Sequence, residues 1–490
     1  MTGLSLARGA SWMVLFRLIE RSLGIVSTLI LARLLVPADF GLVAMAMSVV
    51  AIIELASAFS LDVPLIQRQD PTRDHYDTAW TLNVLFACGC ALGIALLAFP
   101  AAAFYNEERL AAVLLVLAGG WLVQGFENIG VVNFRRAMDF ARETRFLLGK
   151  RLTGFCVTLS CALYFRSYWA LVAGVVAGRL MGVLLSYRMD PFRPRLSLAA
   201  RADLLAVSGW LFLNNLLHFG STRLSHFVIG RLSGAQSLGL YTLGSELAYM
   251  PQTELVAPIN RALFPGFSRM ADSPEVMGRT YITANGVIAL VVFPAGIGIA
   301  AVADVLVPVL LGPAWAGVAP VLQILALAGG LSALMSNTYS AYLALGLARI
   351  VTWILVLEVS ILIAGMALLA GPYGVIGVAW AELTAVATGT LCSIWVVTRN
   401  LKVTMGEIVR NVARPAVAGL AMGLAVTALG DRLGPANGAG ILRLLGLVAT
   451  GIATYVTLVI GLWLAAGRPP GAERLILDQL RARMGRPAGL

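Results

Sequence analysis

Hydrophobic runs of about 20 residues, separated by short polar stretches, recur along the whole chain of 490 residues. A helix of that length crosses the roughly 30 Å hydrocarbon layer of a membrane. We count about fourteen runs and predict that each forms a transmembrane helix. They cover residues 11–34, 40–61, 78–100, 110–132, 146–165, 168–187, 204–230, 238–266, 280–303, 318–345, 350–370, 374–398, 412–429 and 441–466.

The first run contains a polar stripe. Arg17, Glu20 and Arg21 stand at i, i+3 and i+4 and therefore share one helix face, which Gly24 and Thr28 continue. A charge at the bilayer centre costs about 2.5–3.5 kcal/mol on insertion scales, so these side chains need a polar environment. Two interpretations stay open: Glu20 neutralises Arg17 or Arg21 in a structural pair, or the two arginines line a cavity and bind an anion.

The seventh run carries a matching stripe. Asn215, His218, Thr222 and His226 stand at i, i+3, i+7 and i+11, with Arg223 at the flank. The histidines are read either as cavity residues or as hydrogen-bonding core residues. If the two stripes face each other, they line one cavity.

The two stripes belong to an internal repeat. An ungapped alignment of SWMVLFRLIERSLGIVSTLILARLLVPADFGL with GWLFLNNLLHFGSTRLSHFVIGRLSGAQSLGL superposes Trp12 on Trp210, Arg33 on Arg231 and Gly41 on Gly239. The repeat relates runs 1–6 to runs 7–12. Because this shift keeps the orientation in the membrane, it predicts two parallel six-helix lobes, a plan known from transporters.

The predicted organisation follows from this repeat and is all-α, with two extra helices after the lobes. The segments are an N-terminal lobe at 1–190, a cytoplasmic linker at 191–203, a C-terminal lobe at 204–400, the last two transmembrane helices at 401–466 and a basic cytoplasmic tail at 467–490.

Further charges lie within the hydrophobic runs. Glu254 and Arg261 share one face of run 8, where Pro251 and Pro258 are expected to distort the helix. Asp62 directly follows run 2, the partner of run 8 in the repeat.

Three other charged residues lie deep within runs 6, 11 and 12: Arg179, Glu358 and Glu382, respectively. We favour packing contacts between helices as the role of the two glutamates.

Composition excludes a soluble globular protein. Hydrophobic residues make up 59% and charged residues only 12% of the chain, compared with about 45–50% and about 25% in soluble domains. The first run is too long for a signal peptide and is expected to stay as a helix. The five cysteines lie in apolar runs and suggest packing, with neither a disulfide framework nor a metal site or cofactor.

The net charge of +11 is distributed unevenly along the chain. If the N-terminus is cytoplasmic, the external gaps hold almost no cations beyond Arg109, Arg166, Arg231 and Arg432, while the cytoplasmic gaps and the tail hold most of the arginines. This asymmetry follows the positive-inside rule and predicts that both termini are cytoplasmic. Membrane lipids, and no nucleic acid, are the expected partners of these cations.

Several function classes can be excluded on motifs. The nearest fragment to a phosphate-binding loop, LGKRL, lacks the glycine spacing and the hydroxyl residue. The external gaps are short and offer few acids or histidines for catalysis, so no enzyme is predicted. A carrier with a wet, net-cationic interior remains.

Four segments carry a family resemblance: ARLLVPADFGLVAMA, PLIQRQDPTRDHYDTAW, NFRRAMDFARETRF and IGRLSGAQSLGLYTLGSELAYMPQTELVAPINRALFPGFSRM. The chain resembles the polysaccharide exporters and lipid-linked oligosaccharide flippases of the multidrug/oligosaccharidyl-lipid/polysaccharide superfamily, in particular the colanic-acid-exporter-like branch. The resemblance implies fourteen helices and movement of an undecaprenyl-diphosphate-linked glycan across the bacterial inner membrane. It also implies a polysaccharide polymerase and a chain-length regulator as possible partners.

The residue types agree with a phosphorylated substrate. The chain has 34 arginines and two lysines, and guanidinium forks suit diphosphate oxygens. We expect Arg17 and Arg21, helped by Arg223 and Arg261, to hold the diphosphate in a cavity that Asn215 and His218 also line. Glu20, Glu254 and Asp62 are the candidate sites for a coupling H⁺ or Na⁺.

Two alternatives stay open. A cation-coupled multidrug antiporter on the same fold would need more acids than cations in its cavity, whereas run 1 carries two arginines and one glutamate. A non-transport membrane scaffold of a polysaccharide assembly complex does not explain the paired stripes.

Overall fold

The computed structural model describes most of the chain. It covers residues 3–56, 62–68, 70–201, 209–434, 440–469, 471–475 and 478, and it describes the backbone alone at 3–11, 13–15, 56, 62, 63, 67 and 209–218. In these ranges the regular secondary structure is helical throughout. The chain divides into two compact units, Met1–Gly239 and Leu240–Leu490.

The first unit contains eight complete helices within its described ranges. They are α1 (Gly3–Leu34), α2 (Pro37–Ala56), α3 (Asp62–Gln67), α4 (Arg73–Tyr105), α5 (Arg109–Gly125), α6 (Val132–Arg136), α7 (Phe140–Phe165) and α8 (Trp169–Met189). A 3₁₀ turn, Ile129–Val131, precedes α6, and α9 (Gly209–Pro251) runs from the first unit into the second.

The second unit continues from α9 through a π-helical segment, Gln252–Val256. Its helices are α10 (Ala257–Arg269), α11 (Pro274–Leu310), α12 (Val318–Ala344), α13 (Ala348–Asn400), α14 (Met405–Arg432) and α15 (Gly440–Ala465), with a 3₁₀ turn at Pro313–Trp315. The π segment directly follows Pro251, so the predicted distortion of run 8 is confirmed.

The helices have the length and composition of membrane spans. Among the described residues nine helices are apolar and long enough to cross a membrane, and ten if α5 and the bent segment after it form one span. Large apolar side chains such as Leu96 and Leu424 are about 70% exposed and suit contact with lipid. The all-α membrane class is therefore confirmed, while the count of about fourteen spans stays a prediction.

Polar side chains fix several helix ends. Thr72 and His75 form a reciprocal capping pair at the start of α4, and the Asp139 carboxylate accepts a hydrogen bond from the Arg142 backbone N–H at the start of α7 (3.1 Å). Asn106, in the left-handed region at φ 54°, ends α4. These caps satisfy backbone groups that the helix itself leaves without partners.

Two glycines break long helices. Gly234 (φ 76°) interrupts α9, and Gly374 (φ 54°) interrupts α13, which contains both of the predicted spans 350–370 and 374–398. Positive φ favours glycine because it has no Cβ. In the repeat alignment Gly234 falls on Val36, which lies between α1 and α2, so the chain breaks its helix at the same register in both copies.

The two copies of this break also contact each other within the first unit. A Cβ on Gly41 would overlap the carbonyl of Ala235, and a Cβ on Gly239 would overlap the carbonyl of Pro37. Because Pro37 aligns with Ala235 and Gly41 with Gly239, the contact is reciprocal, as expected when two equivalent segments pack about a two-fold axis. The geometry agrees with the internal repeat.

The described part of the predicted linker, residues 191–201, is anchored to the first unit. The backbone N–H of Arg195 donates to the Asp77 carboxylate (2.8 Å), and the Asn128 amide donates to the Phe192 carbonyl (2.7 Å). In the tail, Glu473 forms an ion pair with Arg414 of α14 (3.0 Å). The bounds of the five predicted segments stay a prediction.

Candidate functional site

A cavity of about 410 Å³ lies within the first unit, between α1, α5, α7 and α8. We call it the N-terminal cavity. Its polar lining residues are Glu20, Ser27, Gln124, Lys150, Arg151, Thr158 and Arg179. Its volume falls in the range of about 300–1,000 Å³ that is usual for small-molecule sites.

Glycines form the seam between α7 and α8. Gly154 packs against the backbone of Gly174 and Gly178, and a Cβ at Gly174 would overlap the side chain of Thr158. Small residues let membrane helices approach closely, because lipid gives no hydrophobic drive for helix association. The close seam brings polar side chains of both helices to one cavity.

Lys150 is held at the cavity by a carboxylate from the segment after α5. Its Nζ donates to Glu127 Oε2 at 2.7 Å, and it lies over the ring of Phe146 (5.0 Å to the centroid). Both charged side chains of this pair are mostly buried, at 25% and 21% exposure. Glu127 therefore cancels most of the field of Lys150 in the cavity.

The two arginines of the cavity form no such ion pair, although the Glu54 carboxylate attracts the Arg179 guanidinium. Arg179 stacks on Trp121 (4.7 Å to the ring centroid) and donates to the Leu117 carbonyl (3.3 Å). Arg151 is exposed and lies opposite Gly24 of α1. Within the described residues neither guanidinium forms an ion pair with a carboxylate. Each can bind the oxygens of an anionic group in a bidentate manner.

The face of α1 that lines the cavity is partly the predicted one. Phe16, Glu20, Leu23, Gly24 and Ser27 line it at helical spacing, so Glu20 and Gly24 of the predicted stripe are included.

The other members of that stripe lie beside the lining face. Arg17 is exposed and Arg21 is half-buried, and neither lines the N-terminal cavity. Among the described residues Arg17 and Glu20 form no ion pair. The assignment of the diphosphate to Arg17 and Arg21 stays a prediction.

The remaining predicted residues lie on other helices. In the first unit Arg223 is half-buried on α9, while the side chains of Asp62, Asn215 and His218 lie outside the described residues.

Two predicted residues belong to the second unit. Glu254 lies in the π-helical segment and accepts a hydrogen bond from the Thr253 hydroxyl (2.8 Å), and Arg261 is exposed on α10. The roles of Glu254 and Arg261 stay predictions.

Sequence reasoning missed five polar residues of the cavity as site residues: Ser27, Gln124, Lys150, Arg151 and Thr158. For Arg179 the sequence predicts only a charge within a span. A signal was present, since Lys150 is one of two lysines in the chain. The fragment that contains both cations, LGKRL, does not match a phosphate-binding loop, so the motif itself does not indicate a site.

The lining can bind a sugar phosphate. Guanidinium groups suit phosphate oxygens, while the hydroxyls of Ser27 and Thr158 and the amide of Gln124 can exchange hydrogen bonds with sugar hydroxyls. Within the part of the chain that the structure describes, no group of three or more His, Cys, Asp or Glu side chains is arranged to hold a metal ion.

Known proteins resemble this chain in sequence. The model of the family described as "Polysaccharide biosynthesis protein" matches residues 30–320. The lipopolysaccharide biosynthesis protein WzxC of Escherichia coli (strain K12) is 27% identical over 329 residues, which are 66% of this chain and 66% of that protein. The succinoglycan biosynthesis transport protein ExoT of Rhizobium meliloti (strain 1021) is 26% identical and covers 99% of this chain and 98% of its own length.

A solved structure shows the same fold. The lipid II flippase MurJ in an inward closed conformation superposes with a TM-score of 0.74 at 13% identity, covering 93% of this chain and the whole of that one. At this identity the likeness concerns the fold alone. It confirms the fold class expected from the superfamily resemblance.

Proposed function

Since this chain belongs to the family of polysaccharide biosynthesis proteins, we propose that it is a flippase, and not an enzyme, that moves a polyprenyl-diphosphate-linked oligosaccharide across the membrane. The direction is from the inner to the outer leaflet of the bacterial inner membrane, for assembly of a cell-surface polysaccharide. Relatives named for lipopolysaccharide and succinoglycan biosynthesis support this class of substrate.

The observation that carries the proposal is the pair of arginines in the N-terminal cavity. Among the described residues Arg151 and Arg179 form no ion pair with a carboxylate, and both lie in a bundle of membrane helices. Cations in such a place are costly unless an anion or water compensates them. The diphosphate of the carrier lipid is an anion of suitable charge, and its polyprenyl chain stays in the lipid.

The arginines of the α1 stripe extend this site in the proposal. Arg17 and Arg21 contact the diphosphate from α1, whose neighbouring face lines the N-terminal cavity. The roles of Arg223, Arg261, Asn215 and His218 in binding the diphosphate stay predictions from the sequence. Alternating access then exposes the bound group on the other side of the membrane.

Transport against a gradient needs an input of free energy. One elementary charge that crosses 100 mV supplies about 2.3 kcal/mol, so an ion or the membrane potential suffices. Glu20, Glu254 and Asp62 are candidate sites for H⁺ or Na⁺. Both termini are cytoplasmic in the proposal, and undecaprenyl-diphosphate-linked glycan, membrane lipids, a polymerase and a chain-length regulator are the partners.

The proposal is tested with purified protein in liposomes that contain a fluorescent polyprenyl-diphosphate sugar. We expect the wild type to translocate this lipid. Arg151→Ala should slow translocation about 10- to 150-fold, because a hydrogen bond to a charged group contributes about 1.5–3 kcal/mol. Arg145→Ala is the matched control, since Arg145 is also exposed on α7 but does not line the cavity.

The outcome separates the flippase from its alternatives. No translocation of the lipid, together with proton-driven efflux of a cationic dye, would replace the proposal by a multidrug antiporter. If the folded protein shows neither lipid translocation nor dye efflux, the scaffold alternative is favoured.

A further inference from the structure

A tyrosine–carboxylate cluster lies in the second unit. Glu382 Oε1 accepts a hydrogen bond from the Tyr249 hydroxyl at 2.6 Å, and Glu382 Oε2 accepts one from the Tyr241 hydroxyl. Both tyrosines are on α9 and Glu382 is on α13. We call these three residues the Glu382 cluster.

Among the described residues no cation is paired with Glu382, and its hydrogen-bond partners are the two neutral hydroxyls. The helix α12, which packs against α13, contains no charged residue. Two other acids lie on these helices. Glu358, on the other arm of α13, packs its carboxyl against Gly389 of the arm that carries Glu382, and Glu246 of α9 is exposed.

Glu382 also lies far from the end of its helical arm. It stands eight residues after the break at Gly374, which corresponds to about 12 Å along a helix with a rise of 1.5 Å per residue. The hydrocarbon layer is roughly 30 Å thick. A carboxylate at that depth without a cation is disfavoured, whereas the protonated acid is not.

The cluster can accommodate both protonation states. As a carboxylate, Glu382 accepts from both hydroxyls; as an acid, it donates its proton to one hydroxyl and accepts from the other. Tyr241 is buried, while Glu382 is half-buried and keeps part of its surface accessible. A proton can therefore be exchanged without breaking the contact between α9 and α13.

Packing alone would not need an ionisable group. A glutamine would accept the same hydroxyl hydrogen bond and carry no charge at any pH. The predicted packing role of Glu382 is confirmed by its bonds to α9, but that role leaves the choice of a carboxyl unexplained.

We infer that Glu382 binds and releases the proton that drives transport by this chain, an inference that rests on the proposed flippase function. In each cycle the carboxyl takes one proton from water on one side of the membrane and returns it to water on the other side. The proton moves opposite to the glycan lipid.

The inference is tested in the liposome assay with the membrane potential clamped and a gradient of one pH unit, acidic on the side that receives the glycan. One proton exchanged per lipid allows up to about tenfold accumulation, because one pH unit is a tenfold ratio of proton activity. We expect accumulation by the wild type and by Glu358→Gln. Glu382→Gln should equilibrate the lipid without accumulating it.

Two results would overturn the inference. One is accumulation by Glu382→Gln equal to that of the wild type. The other comes from infrared difference spectra of the purified protein between neutral and acidic pH, which need no transport. We expect the carbonyl band of a protonated carboxylic acid to change in the wild type and to be missing in Glu382→Gln. Identical spectra of the two proteins would reject proton binding at Glu382. If the band is missing only in Glu382→Gln but the wild type does not transport the lipid, the flippase function alone is rejected.

Discussion

The N-terminal cavity of the first unit and the Glu382 cluster of the second unit carry opposite charges within apolar helices. The cavity contains Lys150, Arg151 and Arg179 with one lining acid, Glu20. The cluster is built around one carboxyl and contains no cation among the described residues.

The two regions also differ in how their charges are compensated. In the cavity one cation is paired and two guanidinium groups remain available to an anion from outside the protein. In the cluster the hydroxyls of two tyrosines stabilise the carboxyl, and the ion that neutralises it can be as small as a proton. The large anionic substrate and the driving ion can therefore bind at two different sites, so no single site has to bind both.

The largest expected effect comes from reversing the charge of one residue that lines the N-terminal cavity. Arg151→Glu removes an attraction to the diphosphate and adds a repulsion, so we expect more than about 100-fold loss of translocation, from at least about 3 kcal/mol. Protein abundance should stay near that of the wild type because Arg151 is exposed. Measured in the liposome assay, Arg145→Glu is the control, and equal losses in both variants would mean that the site is not specific.

Removing the hydroxyls of the cluster should lower stability rather than substrate binding. Tyr241→Phe leaves one oxygen of Glu382 without its donor, and a buried polar group that loses its partner costs about 1–3 kcal/mol. Thermal unfolding of the purified protein should show the loss. Tyr339→Phe is the control, since Tyr339 is 50% exposed. A loss of stability as large in this control would show that the cluster contributes nothing specific.

A double-mutant cycle measures the coupling energy between Lys150, the paired cation of the cavity, and Glu127. Lys150→Met leaves Glu127 uncompensated next to the bound anion, and Glu127→Gln should restore much of the lost translocation. We expect a coupling energy of about 1 kcal/mol, because the pair is mostly but not fully buried. Additive effects of the two substitutions would show that the pair does not act on the site.

The smallest effect is expected outside both regions. Glu107 lies between α4 and α5, and Arg109 donates two hydrogen bonds of 2.8 Å to its carboxylate. These bonds hold the pKa of Glu107 below its usual value although burial acts in the opposite direction. The resulting stabilisation is therefore complete above the pKa of the unfolded state, about 4.3, and is lost as the pH falls through the lower pKa of the folded state.

This ion pair gives a baseline for charge effects at the surface. Glu107→Gln should lower the free energy of unfolding by about 0.2–1 kcal/mol near pH 7, since solvent screens the pair. The difference from the wild type should shrink on acidification. A difference that stays constant between about pH 7 and about pH 3 would mean that the charge of Glu107 is not its cause.

Much of the fold could be predicted because membrane helices leave strong sequence signals. The hydrophobic runs predicted the helices. The gaps between runs 1 and 2 and between runs 7 and 8 contain Val36 and Gly234, the two positions at which the structure breaks the helix. Spans 350–370 and 374–398 correspond to the two arms of α13.

The candidate site was harder to predict. The stripe on α1 predicted a polar face that includes Glu20. The position of α7 and α8 beside this face depends on tertiary packing, which the sequence pattern does not show. The run at 146–165 placed Lys150 and Arg151 near a span end, where cations are usual. In the structure α7 begins at Phe140, so these residues lie about 15 Å along the helix.

A structure of the full chain with a bound polyprenyl-diphosphate sugar tests the central claim most directly. We predict diphosphate density in the N-terminal cavity, with phosphate oxygens within hydrogen-bond distance of the Arg151 guanidinium and close to Arg179. Diphosphate density elsewhere, with the Arg151 side chain contacting only protein or water, would contradict the account.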